Sequence, residues 1–228
     1  MARADELVST LRQGIAGVEA RLFEHPWVAA VEEGRCSRED LRSFAAQQRR
    51  IIASDLKSVA LLVHRYGDSP SGRFFADSLK TEAAAFDALA GFAGHVGGES
   101  AEEADAELLA GAQAYTHFVA WLALYGSDAE FAAAFLVNLP AWGKNCGRLA
   151  RALRARYGMA DSAVAFFDLF AGDAPGFAEA ALAVIQGGLD RGVSPVRIRE
   201  AAHLLQRYEL MYWDALQAGA ESRRRRNA

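Results

Sequence analysis

The stretch LLQRYELMYWDAL, residues 204–216, sets a single carboxylate among large apolar side chains near the end of the chain. Its apolar residues recur at helical spacing, and Glu209 lies four residues after Leu205 and three before Tyr212, on the inward face. Burying an ionised carboxylate without a partner is expensive. The stretch therefore predicts a buried helix whose acid has either a partner or a chemical function.

Composition places the chain among globular helical proteins. Of its 228 residues, 52% are hydrophobic and 24% are charged, and only five are proline. That balance provides a sizeable core with few helix breakers. We therefore expect one domain over residues 1–220, followed by a disordered basic tail at 221–228 that contains the run SRRRR.

Charge and hydropathy exclude several classes of protein. The net charge is −4, whereas nucleic-acid binding needs a basic face, so we expect no nucleic-acid partner. No uncharged apolar run of about 20 residues occurs, and we expect no membrane partner. Cys36 and Cys146 lie too far apart for a metal motif such as CxxC, which predicts free thiols in a cytoplasmic protein without a metal site.

Apolar residues recur at helical spacing along the whole chain, and no segment shows the period of two that marks a strand. Ser37 followed by Asp40 predicts a capped helix start, Gly34 and Gly67 predict helix ends, and Pro195 predicts a further start. The sequence thus predicts an all-α bundle of eight or nine helices. These cover about residues 3–23, a short segment within 25–34, 37–67, 71–94, 101–125, 128–157 with Pro140 inside and a kink there, a segment from 162, 176–191 and 194–218.

Four of the predicted helices each place a hydrogen-bonding side chain on the apolar stripe. These side chains belong to Gln48, Tyr115, Asn138 and Glu209. Gln48 lies four residues after Phe44, for example, and Asn138 lies four residues before Trp142. Polar groups that point inward from several helices, with aromatic neighbours, are typical of a ligand pocket in a bundle.

Three of the four also have a purely structural interpretation. Asn138 would bridge neighbouring backbone where Pro140 leaves a carbonyl without its helical donor. Gln48 would be a core hydrogen-bond partner, and Tyr115 would serve packing. The sequence alone leaves both interpretations open.

For Glu209 the structural alternative is a buried salt bridge with Arg49 or Arg50. The five histidines are scattered, and no Glu-x-x-His pair occurs, so a di-iron carboxylate site of the kind found in helical bundles is not expected. Glu209 is thus the candidate acid of the predicted pocket.

Three segments resemble the TenA (thiaminase II) family, which belongs to the haem-oxygenase-like superfamily. HPWVAAVEEGRCSREDLRSFAAQQ (25–48) is similar to the first conserved segment of that family, and AYTHFVAWLALYGSDAEFAAAFL (114–136) to its Y-T segment. YELMYWDAL (208–216) is similar to its C-terminal Y-E motif and is the most specific of the three. The resemblance implies a haem-oxygenase-like multi-helical bundle.

The resemblance also implies an activity, the hydrolysis of thiamin or of a 5-aminomethylpyrimidine to hydroxymethylpyrimidine. In the family a cysteine attacks, a glutamate moves protons, an aspartate binds the ring and tyrosines stack on it. By position, the proton-shuttling glutamate corresponds to Glu209, the pocket aromatic beside it to Tyr212 and the Y-T tyrosine to Tyr115.

Other positions depart from the family pattern. The ring-binding aspartate corresponds to Gln48, and the tyrosine three residues later to Ile51. Asn138 occupies the position of the nucleophilic cysteine, while Trp142 and Phe170 occupy tyrosine positions. An asparagine cannot do the nucleophilic work of a thiolate, and a glutamine loses the charge-assisted pair with an amidine.

We therefore expect a TenA-like enzyme with an altered substrate, Glu209 as general acid and base, and no cofactor. Its partners would be a flat or heteroaromatic small molecule and copies of itself, in a homodimer or homotetramer. The alternatives are a non-catalytic ligand-binding or regulatory TenA-like protein, and a superfamily oxidase in a biosynthetic pathway.

Overall fold

Helices account for nearly all of the chain that the structure describes. The computed structural model describes residues 3–97, 107–172 and 174–227, and these ranges contain nine α-helices and no strand. The all-α prediction is confirmed. The helices are α1 (Ala4–Phe23), α2 (Pro26–Glu32), α3 (Arg38–Tyr66), α4 (Gly72–Val96), α5 (Ala110–Tyr125), α6 (Asp128–Tyr157), α7 (Asp161–Ala171), α8 (Phe177–Asp190) and α9 (Pro195–Asn227).

Capping boxes fix where the two long helices α3 and α6 begin. The Ser37 hydroxyl accepts from the Asp40 backbone N–H at 3.1 Å, and the Asp40 carboxylate accepts from the Ser37 backbone N–H at 2.9 Å. Ser127 and Glu130 form the same reciprocal pair before α6. The predicted start of α3 is confirmed, and each box satisfies two backbone donors that would otherwise lack partners.

Helix α5 begins later than the sequence pattern indicates. We expected it from residue 101, but residues 98–106 lie outside the described part of the chain and 107–109 are not helical. The described helix starts at Ala110. Gln47 binds this start, because its amide donates to the Glu107 carbonyl at 2.8 Å and accepts from the Leu109 N–H at 3.3 Å.

The C-terminal residues differ from the prediction made from the sequence. Residues 221–227, expected to be disordered, continue helix α9, while residue 228 lies outside the described residues. The physical reason is an ion pair: Arg223 donates from Nε to Asp40 Oδ1 at 2.8 Å, and Asp40 is only 2% exposed. A basic run can thus hold its helical form when one of its charges has a buried acidic partner.

The core consists of two adjoining apolar clusters. One surrounds the rings of Trp27, Phe44 and Trp213, with Trp27 centred 5.4 Å from Phe44 and 5.5 Å from Trp213. The other contains Phe75 and Phe131 at 5.6 Å. Helix α9 packs on α5 and α6 and contributes to both clusters, so its inward face runs along the boundary between them.

None of the helices that the structure describes is both long and apolar enough to cross a bilayer.

Arg223→Ala should destabilise the protein because it leaves the buried Asp40 carboxylate without its cation. We expect a loss of about 2 kcal/mol, measured as the free energy of unfolding in urea followed by circular dichroism. The matched control is Arg225→Ala, since Arg225 is exposed on the same helix. Equal stability of the two variants would show that the pair does not hold the end of α9.

Candidate functional site

A cavity lies at the boundary of the two core clusters, where helices α3, α4, α5, α6, α7 and α9 meet. Its volume is about 60 Å³, on a measure by which a single water molecule needs about 10–15 Å³. All eight side chains singled out in the sequence line it. They are Gln48, Ile51, Tyr115, Asn138, Trp142, Phe170, Glu209 and Tyr212.

Glu209 forms part of the cavity wall and is 2% exposed. Its Oε2 accepts from Asn138 Nδ2 at 2.5 Å, and its Oε1 accepts from Trp213 Nε1 at 3.2 Å. Both partners are neutral N–H donors. The carboxyl group is therefore held in one orientation without a counter-charge to neutralise it.

The salt bridge considered for Glu209 is not formed. Arg49 and Arg50 are both exposed on α3, whereas Glu209 is buried, and no ion pair to Glu209 occurs in the described ranges. Burial without a cation raises the pKa of Glu209 to about 8, although the hydrogen bonds from Trp213 and Asn138 act to lower it. An acid with such a pKa exchanges protons near neutral pH.

Asn138 is the centre of a side-chain network that links three helices. The Tyr115 hydroxyl donates to Asn138 Oδ1 at 3.1 Å, and Asn138 Nδ2 donates to Gln206 Oε1 at 3.1 Å as well as to Glu209. The amide thus serves other side chains rather than the backbone near Pro140. Tyr115 therefore has a hydrogen-bonding role in addition to its packing.

Gln48 and Tyr212 both line the cavity. The Gln48 amide acts to lower the pKa of Tyr212, while burial raises it well above its ordinary value as the larger effect. The Tyr212 hydroxyl nevertheless has no partner at hydrogen-bond geometry in the described chain. An electrostatic influence of this kind extends beyond hydrogen-bond distance. The core hydrogen-bonding role belongs to the neighbouring Gln47, which accepts from Gln113 at 2.9 Å.

Aromatic rings close the side of the cavity formed by α6 and α7. Trp142 lies 5.9 Å from Phe170 and 6.4 Å from Phe166, centre to centre. Gly143 makes this approach possible, since a Cβ there would come within 2.5 Å of the Phe170 carbonyl oxygen. The rings meet edge to face, at interplanar angles of 74° and 78°, and provide an apolar wall of aromatic side chains that suits an aromatic ligand.

Three polar residues of the site were not proposed as site residues from the sequence. Asp55 and Glu82 line the cavity, and Gln206 binds Asn138. Spacing held the signal for two of them, because Asp55 lies seven residues after Gln48 on one helix face and Glu82 lies three residues after Leu79. Gln206 could be found only through its contact with Asn138, a partner distant in sequence.

No thiolate is available to replace a nucleophile at the site. Cys146 is buried in the core cluster around Trp27, it does not line the cavity, and burial raises the pKa of its thiol well above the usual range. Nor do the described residues contain a group of three or more His, Cys, Asp or Glu side chains placed to hold a metal ion.

Fold and site together define an all-α helical protein with a small pocket between its helices and a buried acid in the pocket wall. The sequence model of the TENA/THI-4/PQQC family matches residues 12–217, and the chain belongs to this family. No sequence among the curated proteins matches it.

Solved structures show the same fold at low sequence identity. A TenA homologue from Pyrococcus furiosus is 18% identical with a TM-score of 0.71, covering 92% of this chain and 99% of its own. A TenA homologue from Pseudomonas syringae pv. tomato is 14% identical with a TM-score of 0.78, covering 92% of each chain. Haem oxygenase-1 from Synechocystis, solved in complex with haem, is 15% identical with a TM-score of 0.70, covering 95% of this chain and 94% of its own.

Replacing Glu209 should change how stability depends on pH. The pKa of Glu209 is about 8 in the folded protein against an ordinary value of 4.5, so the folded state keeps a proton that the unfolded state releases. The free energy of unfolding therefore falls as the pH rises from about 5 to 8. Glu209→Gln has no proton to lose, and its melting temperature relative to the unchanged protein should rise by on the order of 5 °C between pH 5.5 and 8.5.

The control for this measurement is Glu200→Gln, an exposed glutamate of the same helix. Differential scanning fluorimetry at several pH values gives the comparison directly. If the melting temperature of Glu209→Gln depends on pH in the same way as that of the control, the raised pKa of Glu209 is contradicted.

Proposed function

We propose that the protein is a TenA-like hydrolase that cleaves a C–N bond of a small, flat heteroaromatic compound, with Glu209 as general base and then general acid. The observation that carries the proposal is a buried carboxyl on a cavity wall, oriented by neutral N–H donors and without an ion pair in the described part of the chain. Its pKa of about 8 suits proton transfer in both directions near neutral pH.

The nucleophile in this proposal is water. Ionised Glu209 takes a proton as the oxygen of water attacks the carbon beside the leaving nitrogen. The C–N bond then breaks, and Glu209 returns the proton to that nitrogen, so an aminomethyl group and water become a hydroxymethyl group and ammonia. Asn138 supports this route because it holds the Glu209 carboxyl group in place and cannot form a covalent intermediate as a thiolate would.

The remaining side chains would bind and orient the substrate. Trp142, Phe170 and Ile51 would pack on its ring, Gln48 would contact a ring nitrogen or amino group, and Tyr212 would offer its hydroxyl. Tyr115 donates to Asn138 and so would position the amide rather than the substrate. The default substrate class is the aminopyrimidine of thiamin salvage, altered as Gln48 and Asn138 imply.

The test is turnover of thiamin and of a 5-aminomethylpyrimidine, followed by chromatography of the hydroxymethylpyrimidine product. Glu209→Gln should lower the rate by about 10²- to 10⁴-fold with substrate binding retained, while Glu200→Gln stays unchanged. Binding without turnover in the unchanged protein would instead identify a ligand-binding protein. Equal turnover by Glu209→Gln would remove Glu209 from the mechanism.

We further propose a homodimer or homotetramer. Large apolar side chains are exposed at one end of α5, with Trp121 at 46%, Leu124 at 56% and Tyr125 at 67%. Tyr125→Glu should lower the mass measured by light scattering if this surface joins two copies, because a charge would enter an apolar contact. Arg73→Glu is the control at an exposed polar site. A monomeric mass for the unchanged protein would reject the assembly.

A further inference from the structure

A second acidic wall faces the cavity from helices α3 and α4. Asp55 is 4% exposed, and its carboxylate accepts from the Thr116 hydroxyl. Glu82 is half-buried and accepts no hydrogen bond from the described residues. Together with Glu209, three carboxyl groups line the cavity, and no lysine, arginine or histidine lines it among the residues that the structure describes.

The second acidic wall and Glu209 belong to different helices, since Asp55 lies on α3 and Glu82 on α4, whereas Glu209 lies on α9. Burial raises the pKa of Glu82 to about 8, with the charge of Asp55 adding to the effect, and burial raises the pKa of Asp55 to about 7. Neither residue is among the groups that shift the pKa of Glu209. Burial raises the pKa of Tyr115 well above its ordinary value, and the charges of all three carboxyl groups add to the effect.

The Tyr212 hydroxyl gives a second, independent observation in the same cavity. Tyr212 lines the same cavity and is 2% exposed, yet its hydroxyl has no hydrogen-bond partner in the described chain. A buried hydroxyl without a partner costs free energy, and proteins seldom keep one without a use. A ligand with a polar edge would satisfy it.

We propose that the pocket binds a small organic cation whose positively charged nitrogen lies between Asp55 and Glu82. A cation there balances the two carboxylates, which otherwise repel each other in a poorly solvated site. The rings of Tyr115, Phe166 and Phe170 line the same space and favour a flat or cationic ligand over a hydrated metal ion. The cation site does not depend on the proposed hydrolysis. Only the statement that the bond facing Glu209 is cleaved rests on the proposed function.

The test compares flat cations with neutral molecules of the same shape. Benzamidine and 4-aminopyridinium are the cationic probes, and benzamide and toluene are the neutral ones, with dissociation constants from calorimetry. The cations should bind at least about tenfold more tightly than their neutral counterparts. If no cation binds more tightly than its neutral counterpart, the proposal is wrong.

The variants Asp55→Asn and Glu82→Gln locate the charge. Each should weaken benzamidine binding by about tenfold or more and leave benzamide unchanged. The control Asp87→Asn removes an exposed carboxylate from α4 and should change neither the benzamidine affinity nor the benzamide affinity. Circular dichroism and melting temperature show that each variant is folded, and benzamide binding gives a second measure of an intact pocket. Unchanged benzamidine affinity in both folded variants would overturn the proposal.

Two further measurements separate this proposal from its alternatives. Glu209→Gln should lose turnover but keep the preference for cations, so that failure of the hydrolase proposal does not imply failure of the cation site. Mn²⁺ alone is the metal probe. Stoichiometric Mn²⁺ binding that is lost in Asp55→Asn would show a metal site in place of an organic cation site and would overturn the proposal.

Discussion

The short hydrogen bond from Asn138 to Glu209 is the contact on which the rest of the site depends. It joins α6 to α9 inside the core, and it fixes an acid where water is scarce. Because Trp213 supplies the only other donor to that carboxyl group in the described chain, the group is oriented without being neutralised. Orientation and a raised pKa together are what an acid–base residue needs, and a salt bridge would have supplied only the first.

Asn138 also connects the polar side chains of the pocket with one another. At the position that resembles the nucleophile of the family, it accepts from Tyr115 and donates to both Gln206 and Glu209. A carboxamide connects these side chains but is not a nucleophile. The proposed hydrolysis therefore uses water as its nucleophile, and this requirement divides the enzyme proposal from the ligand-binding alternative.

Much of the fold could be predicted because it depends on local rules. The capping box at Ser37, the end at Gly34 and the helical spacing around Glu209 are each readable within a few residues. The site residues shared that property, since each sits on an apolar stripe. What the sequence concealed depends on partners far apart in the chain: Arg223 with Asp40, and Gln206 with Asn138. A run of arginines looks solvated until its acidic partner is known.

The Arg223–Asp40 ion pair also relates the position of α9 along its axis to that of α3. Asp40 lies 15 residues before Asp55 on α3, and Arg223 lies 14 residues after Glu209 on α9. At 1.5 Å per residue these spans are about 22 Å along α3 and about 21 Å along α9, both measured from the same ion pair. A slip of α9 by one helical turn would break the pair and move Glu209 by about 5 Å relative to the acidic wall on α3. An ion pair in the last turns of α9, remote from the cavity, thus contributes to the register of α9 against α3 and so to the position of Glu209 opposite Asp55.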